Sequence, residues 1–328
     1  MKKAALISLI IPAIVFLGIL PCSAKQFKIA AVFQTAIEEP WDGAIHQACL
    51  KAQKEIKGVH YEFTEKVGAA DFEKVLREYA ERGFDLIVGD AFLAGEEPAR
   101  RVAKDYPKIA FAFGSEFGPV SPNFSVFDNW IHEPAYLCGL IAGKMTKTNV
   151  IGAVAAIPIG EVNRLVNAFI AGAREVNPKV KVKISYIGSW FDPPKAKEAA
   201  LAQIEAGADL IYAERFGVFE AAKEKGILAF GNMTDQHSLA PSVVITGPVW
   251  DMYPTIKFCV GMVKKHAWVA MDLREWSMMA KGGAKLAPFH SFEKKLPPDV
   301  LKLVRERENK IMNGTFHVPV DEHKPVSD

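Results

Sequence analysis

The 328-residue sequence predicts an α/β protein of two doubly wound lobes with parallel sheets, and three observations carry that prediction. Short apolar runs rich in β-branched and aromatic residues alternate with longer amphipathic stretches. The loops between them are short, so successive strands need helical crossovers and lie parallel, with helices on both faces. The third observation is an internal repeat. Glu81-Arg82-Gly83-Phe84-Asp85-Leu86-Ile87-Val88-Gly89-Asp90 is answered by Glu205-Ala206-Gly207-Ala208-Asp209-Leu210-Ile211-Tyr212-Ala213-Glu214, with helix end, glycine, aspartate, buried strand and terminal carboxylate in the same order.

The chain opens on a segment of another kind. Lys2-Lys3 precede an uncharged stretch, residues 4–20, and then Cys22-Ser23-Ala24, the pattern of a secretory signal with cleavage expected after Ala24. Pro12 and Gly18 interrupt the stretch and make it a poor spanning helix. Pro21 stands before Cys22, where a lipoprotein signal carries a small residue, so a lipid anchor is not expected. Residues 28–33 and 150–156 each read as the first strand of a lobe. Residues 71–81 carry apolar side chains at Phe72, Val75, Leu76, Tyr79 and Ala80, one buried stripe of a helix that Gly83 terminates. Residues 109–114 are answered by 227–231, and 124–128 by 243–246. Past Pro297-Pro298 an amphipathic helix is expected, with Val300, Leu301, Val304 and Ile311 inward, and residues 320–328 are expected to be loose.

Composition excludes several functions. Lys+Arg total 40 and Asp+Glu 38, and Lys2-Lys3 supply the whole excess of +2. A neutral body without cationic runs argues against a nucleic-acid or anionic-membrane partner. Cys49, Cys138 and Cys259 sit in apolar helical contexts and read as small buried hydrophobes. Gly139-Leu140-Ile141-Ala142-Gly143-Lys144-Met145 is one residue short of a phosphate-binding loop and lacks its hydroxyl. No dinucleotide fingerprint, nucleophile elbow or paired-cysteine motif occurs, and the eight histidines are scattered. No catalytic residue, metal or cofactor is therefore expected.

In doubly wound sheets ligands sit beyond the carboxyl ends of the strands. That rule selects the 34–42 loop, Asp90, Glu116 and Asp128 from the first lobe. From the second it selects the 157–161 loop, Trp190-Phe191, Glu214-Arg215-Phe216 and the 232–235 loop. Trp41, Trp190, Phe191, Phe216 and Trp250 can sandwich a flat ligand, while neighbouring carboxylates accept from its N–H groups. Each choice has a structural alternative: a tryptophan packed beneath its loop, Asp42 capping the helix that starts near Gly43, or Arg215 merely neutralising Glu214 instead of clamping an anion. Asp192 before Pro193-Pro194 reads as a helix start alone.

Several segments together resemble the basic membrane protein family of ABC-transporter substrate-binding proteins, which includes purine nucleoside receptors. They are Val126-Phe127-Asp128-Asn129, Glu133-Pro134-Ala135-Tyr136-Leu137-Cys138-Gly139-Leu140-Ile141-Ala142-Gly143, Gly188-Ser189-Trp190-Phe191-Asp192-Pro193, Ile227-Leu228-Ala229-Phe230-Gly231 and Lys285-Leu286-Ala287-Pro288-Phe289. The resemblance implies a type I periplasmic-binding-protein fold: two lobes joined by hinge segments, a ligand between them, and delivery to an inner-membrane permease. It assigns stacking to Trp41 and base recognition to Asp42. Where the family usually has a glycine-rich turn this chain has Glu214-Arg215-Phe216, so a purine base or another flat heterocycle stands beside the nucleoside as ligand.

The expected organisation is a signal peptide at 1–24, a first lobe of 25–129 plus about 249–272, and a second of 130–248 plus about 273–328. The expected protein is a monomeric periplasmic binding protein for a purine-like ligand. Its site would use Trp41, Asp42, Asp90, Asp128, Trp190, Phe191, Glu214, Arg215, Phe216, Asp235 and Trp250. An exported nucleoside hydrolase and a sugar-binding or sensor protein on the same fold are the alternatives.

Overall fold

The computed structural model describes residues 26–92 and 95–328; the expected signal sequence lies outside them. The first sheet holds β1 (Phe27–Val32), β2 (Val59–Thr64), β3 (Leu86–Asp90), β4 (Ala110–Gly114) and β5 (Phe124–Phe127), all parallel, in the order β2-β1-β3-β4-β5. The second holds β6 (Val150–Ala155), β7 (Lys181–Tyr186), β8 (Leu210–Ala213) and β9 (Leu228–Phe230) in the order β7-β6-β8-β9. The repeated segments end β3 and β8, the equivalent third strands. Residues 243–246, expected to answer β5, continue the second sheet: Ala229 N donates to Val243 O and Ile245 N to Ala229 O.

Alternation along the strands sorts side chains into layers. Ile29, Ala31 and Phe33 enter a central core that both lobes share, whereas Ala30 and Val32 enter an outer core under α2 (Ala69–Glu81) and α3 (Glu96–Asp105). In the second sheet Leu210 and Tyr212 face the central core. Ile211 and Ala213 face the outer core under α6 (Pro193–Glu205) and α7 (Val218–Lys225). The central layer is filled by α1 (Pro40–Glu55) and α8 (Tyr253–Lys264) on the first sheet, and by α4 (His132–Met145), α5 (Gly160–Val176) and α9 (Pro298–Met312) on the second. Among the described residues the three cysteines, Cys49, Cys138 and Cys259, are buried there, unpaired.

The glycines of the Leu137-to-Gly143 segment have a packing reason. α4 crosses α5 so closely that a methyl on Gly139 would lie 2.1 Å from Phe169 O, and one on Gly172 2.1 Å from Tyr136 O. Only glycine permits that backbone approach.

The chain passes between the sheets at 128–131, around β10 (Pro248–Trp250), and around β11 (Ala284–Leu286), which pairs antiparallel with β10. Leu273 N donates to Val126 O at 2.8 Å, so residues just past 272 still lie on the first sheet.

The terminal segment corrects the expectation of looseness. Val182 N donates to Asp328 Oδ2 at 2.8 Å and Ile184 N to Ser327 Oγ at 3.1 Å. Further back, Asn163 Nδ2 donates to Glu322 O at 3.0 Å. β7 is an edge strand with open N–H groups, and the tail satisfies them.

Candidate functional site

β1 ends in a loop that delivers Trp41 and Asp42 into the first turn of α1, where Pro40 fits because its missing N–H would be unsatisfied anyway. Glu39 holds the cap position without a side-chain bond, so capping is not what Asp42 does. Its Oδ2 accepts from Thr35 N (3.0 Å) and Thr35 Oγ1 (2.6 Å). Its Oδ1 is buried without a partner. Beside it Asp90, at the end of β3, accepts from Phe92 N at 2.9 Å. Burial first, then the charge of Asp42, pushes the Asp90 carboxyl up to about 8. Burial likewise raises Asp42, against the opposing Thr35 bonds, and it raises Glu39.

Trp41 stands between Phe92, edge-on at 5.3 Å, and Trp250, tilted at 4.7 Å, and its Nε1 is buried without an acceptor. Gly114 makes room: a methyl there would lie 3.0 Å from the indole.

The facing wall comes from the second sheet. Glu214, at the end of β8, receives Ala156 N at 2.9 Å and Arg215 Nε at 2.8 Å, and Arg215 Nη2 closes a bidentate pair on its other oxygen. Arg215 Nη1 donates to Trp190 O at 3.2 Å, and the guanidinium lies 5.2 Å from the Trp190 ring. Phe191 is 61% exposed and meets Phe216 edge-on at 6.2 Å, so this aromatic pair stands open at the rim. At the base, Asn129 Nδ2 donates to Glu161 Oε1 at 2.6 Å, leaving Asn129 Oδ1 buried and unpartnered. Burial, then the nearby Asp128 and Glu214, raises the Glu161 carboxyl.

These groups line one cavity of about 870 Å³ between the sheets. It brings together Trp41, Asp42, Asp90, Trp190, Phe191, Glu214, Arg215 and Phe216. The other three selected residues lie outside its lining. Asp128 is held by the buried Arg164 at 2.6 Å and by Asn129 N at 2.7 Å. Asp235 pairs with His290 at 2.8 Å and lines a neighbouring cavity of about 790 Å³ on the other side of the first turn of α1. Trp250 lines that second cavity too, and its Nε1 donates to Ser277 Oγ at 3.3 Å behind Trp41. Asp192 caps α6 through Lys195 N.

Sequence reasoning missed Glu39, Phe92, Asn129, Glu161 and Asn232 as individual lining residues. Glu39, Glu161 and Asn232 fall inside the strand-end loops it had selected; for Phe92 the signal was its place two residues beyond Asp90. Asn129 carries no such signal, because its role depends on which of two adjacent polar residues faces Arg164. Chemically the cavity is a flat aromatic slot rich in acceptors, and the one cation among the described residues of its lining is already committed to Glu214.

Comparison with known proteins agrees with this architecture. A purine-binding protein of Brucella abortus is 32% identical over 258 residues, 78% of this chain and 71% of that protein. A Haloferax volcanii protein, named provisionally as an ABC transporter glucose-binding protein, is 35% identical over 234 residues, 70% of this chain and 59% of that one. The nucleoside-binding BmpA of Lactococcus lactis is 30% identical over 190 residues, 57% of this chain and 53% of its own length. The chain thus spans little more than half the length of the latter two. In fold it superposes on an ABC transporter solute-binding protein of Conexibacter woesei (TM-score 0.71, 21% identity, 90% of this chain and 99% of that one). A transcriptional activator of the comK gene from Bacillus halodurans superposes equally well (TM-score 0.75, 22% identity, 88% and 99%). With residues 28–322 matching it, the chain belongs to the Bmp family, the PnrA-like ABC transporter substrate-binding proteins.

Proposed function

We propose that this substrate-binding protein captures a purine base or purine nucleoside between its lobes outside the cytoplasmic membrane and delivers it to an ABC permease. One observation carries the reading: two consecutive residues lining an aromatic cavity, Trp41 and Asp42, each have a buried polar atom without a partner, the indole N–H and one carboxylate oxygen. Leaving such groups unpaired is costly, and a flat heterocycle bearing both N–H donors and ring-nitrogen acceptors satisfies them together. Trp41 and the open Phe191–Phe216 pair supply apolar faces from opposite walls, which hinge closure brings onto the ligand. The acceptor-rich lining disfavours a phosphorylated ligand. The names of the Brucella and Lactococcus relatives support this ligand class. In this reading the protein works in the periplasm as a monomer, after loss of residues 1–24, and carries no catalytic step.

A sugar is the second reading, favoured by the name of the Haloferax relative and by carboxylates that also accept from hydroxyls. Titration calorimetry against adenine, hypoxanthine, adenosine, inosine, ribose and glucose separates the two. A purine is expected to bind, and Asp42→Ala to weaken it about 10- to 100-fold, the worth of a hydrogen bond to a charged group. Binding of sugars alone sinks the purine reading, and release of free base from a nucleoside at catalytic protein levels makes the protein a hydrolase.

A further inference from the structure

We propose that the lysine-lined seam between α1 and α8 is a second working surface, one that rests on an anionic phospholipid bilayer. Six exposed lysines gather there from two distant parts of the sequence: Lys51, Lys54 and Lys57 on and just beyond α1, Lys257 and Lys264 on α8, and Lys265 at its end. Direct contacts span the seam at two points. Lys51 and Lys257 approach the same Tyr253 ring, at 4.2 and 5.9 Å, and Lys264 Nζ donates to Lys57 O at 3.2 Å. Among the described residues none of the six pairs with a carboxylate, whereas Lys74, Lys197, Lys285 and Lys302 do so elsewhere. Carboxylates border one end of the patch: Glu38, Glu39, Glu55 and Asp251 share a cavity lining with Lys51 and Lys54, and Asp251 also accepts from Tyr253 N and lies 3.9 Å from Lys285.

One feature favours a bilayer over a folded acidic partner. The patch has lysine and no arginine. Discrete carboxylate or phosphate recognition favours the planar fork of arginine, while flexible ammonium groups suit the diffuse field of a lipid surface. The patch also reaches the start of β1. Phe27 N donates to Gly58 O at 2.8 Å, and Lys264 lies 5.5 Å over the Phe27 ring. The lack of cationic runs suggested that no anionic surface was a partner; the fold assembles the charge that the linear order disperses.

The test is co-sedimentation of the chain beginning at Lys25, which holds every described residue, with two kinds of vesicle. One is phosphatidylcholine alone, the other contains about one-third phosphatidylglycerol. Binding is expected only to the anionic vesicles, falling steeply with salt. The combined change Lys57→Gln, Lys257→Gln, Lys264→Gln and Lys265→Gln should weaken it at least tenfold while purine affinity and melting temperature stay unchanged. Lys74→Gln, Lys104→Gln, Lys197→Gln and Lys302→Gln together remove the same charge elsewhere and should leave it intact. Equal binding to neutral vesicles, or equal loss in both variants, overturns the proposal. So does a wild-type chain that ignores anionic vesicles but binds soluble polyglutamate through the seam, which would mark a protein-facing surface.

Discussion

The two walls of the cavity are built alike, from loops at the carboxyl ends of equivalent strands, yet they end in opposite states. On the first, Asp42 Oδ1 and Trp41 Nε1 have no partner, and burial raises both Asp42 and Asp90. On the second, Glu214 and Arg215 satisfy one another, and the neighbouring backbone takes up the remainder. The first wall is thus left with unmet polar groups, which on the proposed function a ligand completes. The second is a finished surface whose contribution is shape and exposed aromatic area.

Breaking the finished wall should give the largest effect. Arg215→Ala strands the fully buried Glu214 side chain, so stability is expected to fall by about 3–5 kcal/mol, read as a large drop in melting temperature. Adding Glu214→Gln should recover most of the loss. An unchanged melting temperature in the single variant would mean that the pair is not the support of this wall.

The unfinished wall is tested by pH. Asp90 has a folded-state pKa of about 8 against about 3.9 unfolded, so between those values the folded form holds a proton that the unfolded chain has released. Stability from this group is greatest near pH 4, declines as pH rises, and levels off above about 8. Ligand-free protein should therefore lose on the order of 1 kcal/mol per pH unit across roughly pH 5 to 7 through Asp90. Urea unfolding checks this: Asp90→Asn should flatten the slope without abolishing it, because Asp42 and Glu161 shift the same way. A slope identical in the variant would remove Asp90 as its source.

The smallest effect is expected from Trp41→Phe, which keeps an aromatic face and deletes the unpartnered N–H. Purine affinity should fall a few-fold to about tenfold, the range for one neutral hydrogen bond. If calorimetry shows no change, the indole N–H does not meet the ligand.

The comparison also explains how much could be read from the sequence. The two parallel-sheet lobes and the strand-end loops other than that of β2 were legible, because alternation and the repeat are signals that tertiary structure has little freedom to override. What each loop residue does was not. Asp128 and Asn129 are adjacent, equally polar and follow the same strand. The first is consumed by Arg164, 36 residues away, and the second is turned toward the cavity. Trp250 looks like a stacking residue until Ser277 and Trp41 are seen to enclose it. The looseness expected of residues 320–328 failed for the same reason, since their partners lie on β7, more than 140 residues earlier.

The crossings of the chain between the sheets also impose an order on folding. The inner face of the first sheet is covered partly by α8, and Val126 bonds residues 271 and 273, all of which follow the entire second sheet in the sequence. The first lobe to leave the ribosome is therefore the last to be completed. The second can assemble α4, β6 and α5 from consecutive segments with short loop closures. A chain that emerges in this order holds an exposed apolar face on its first half until residues near 273 arrive.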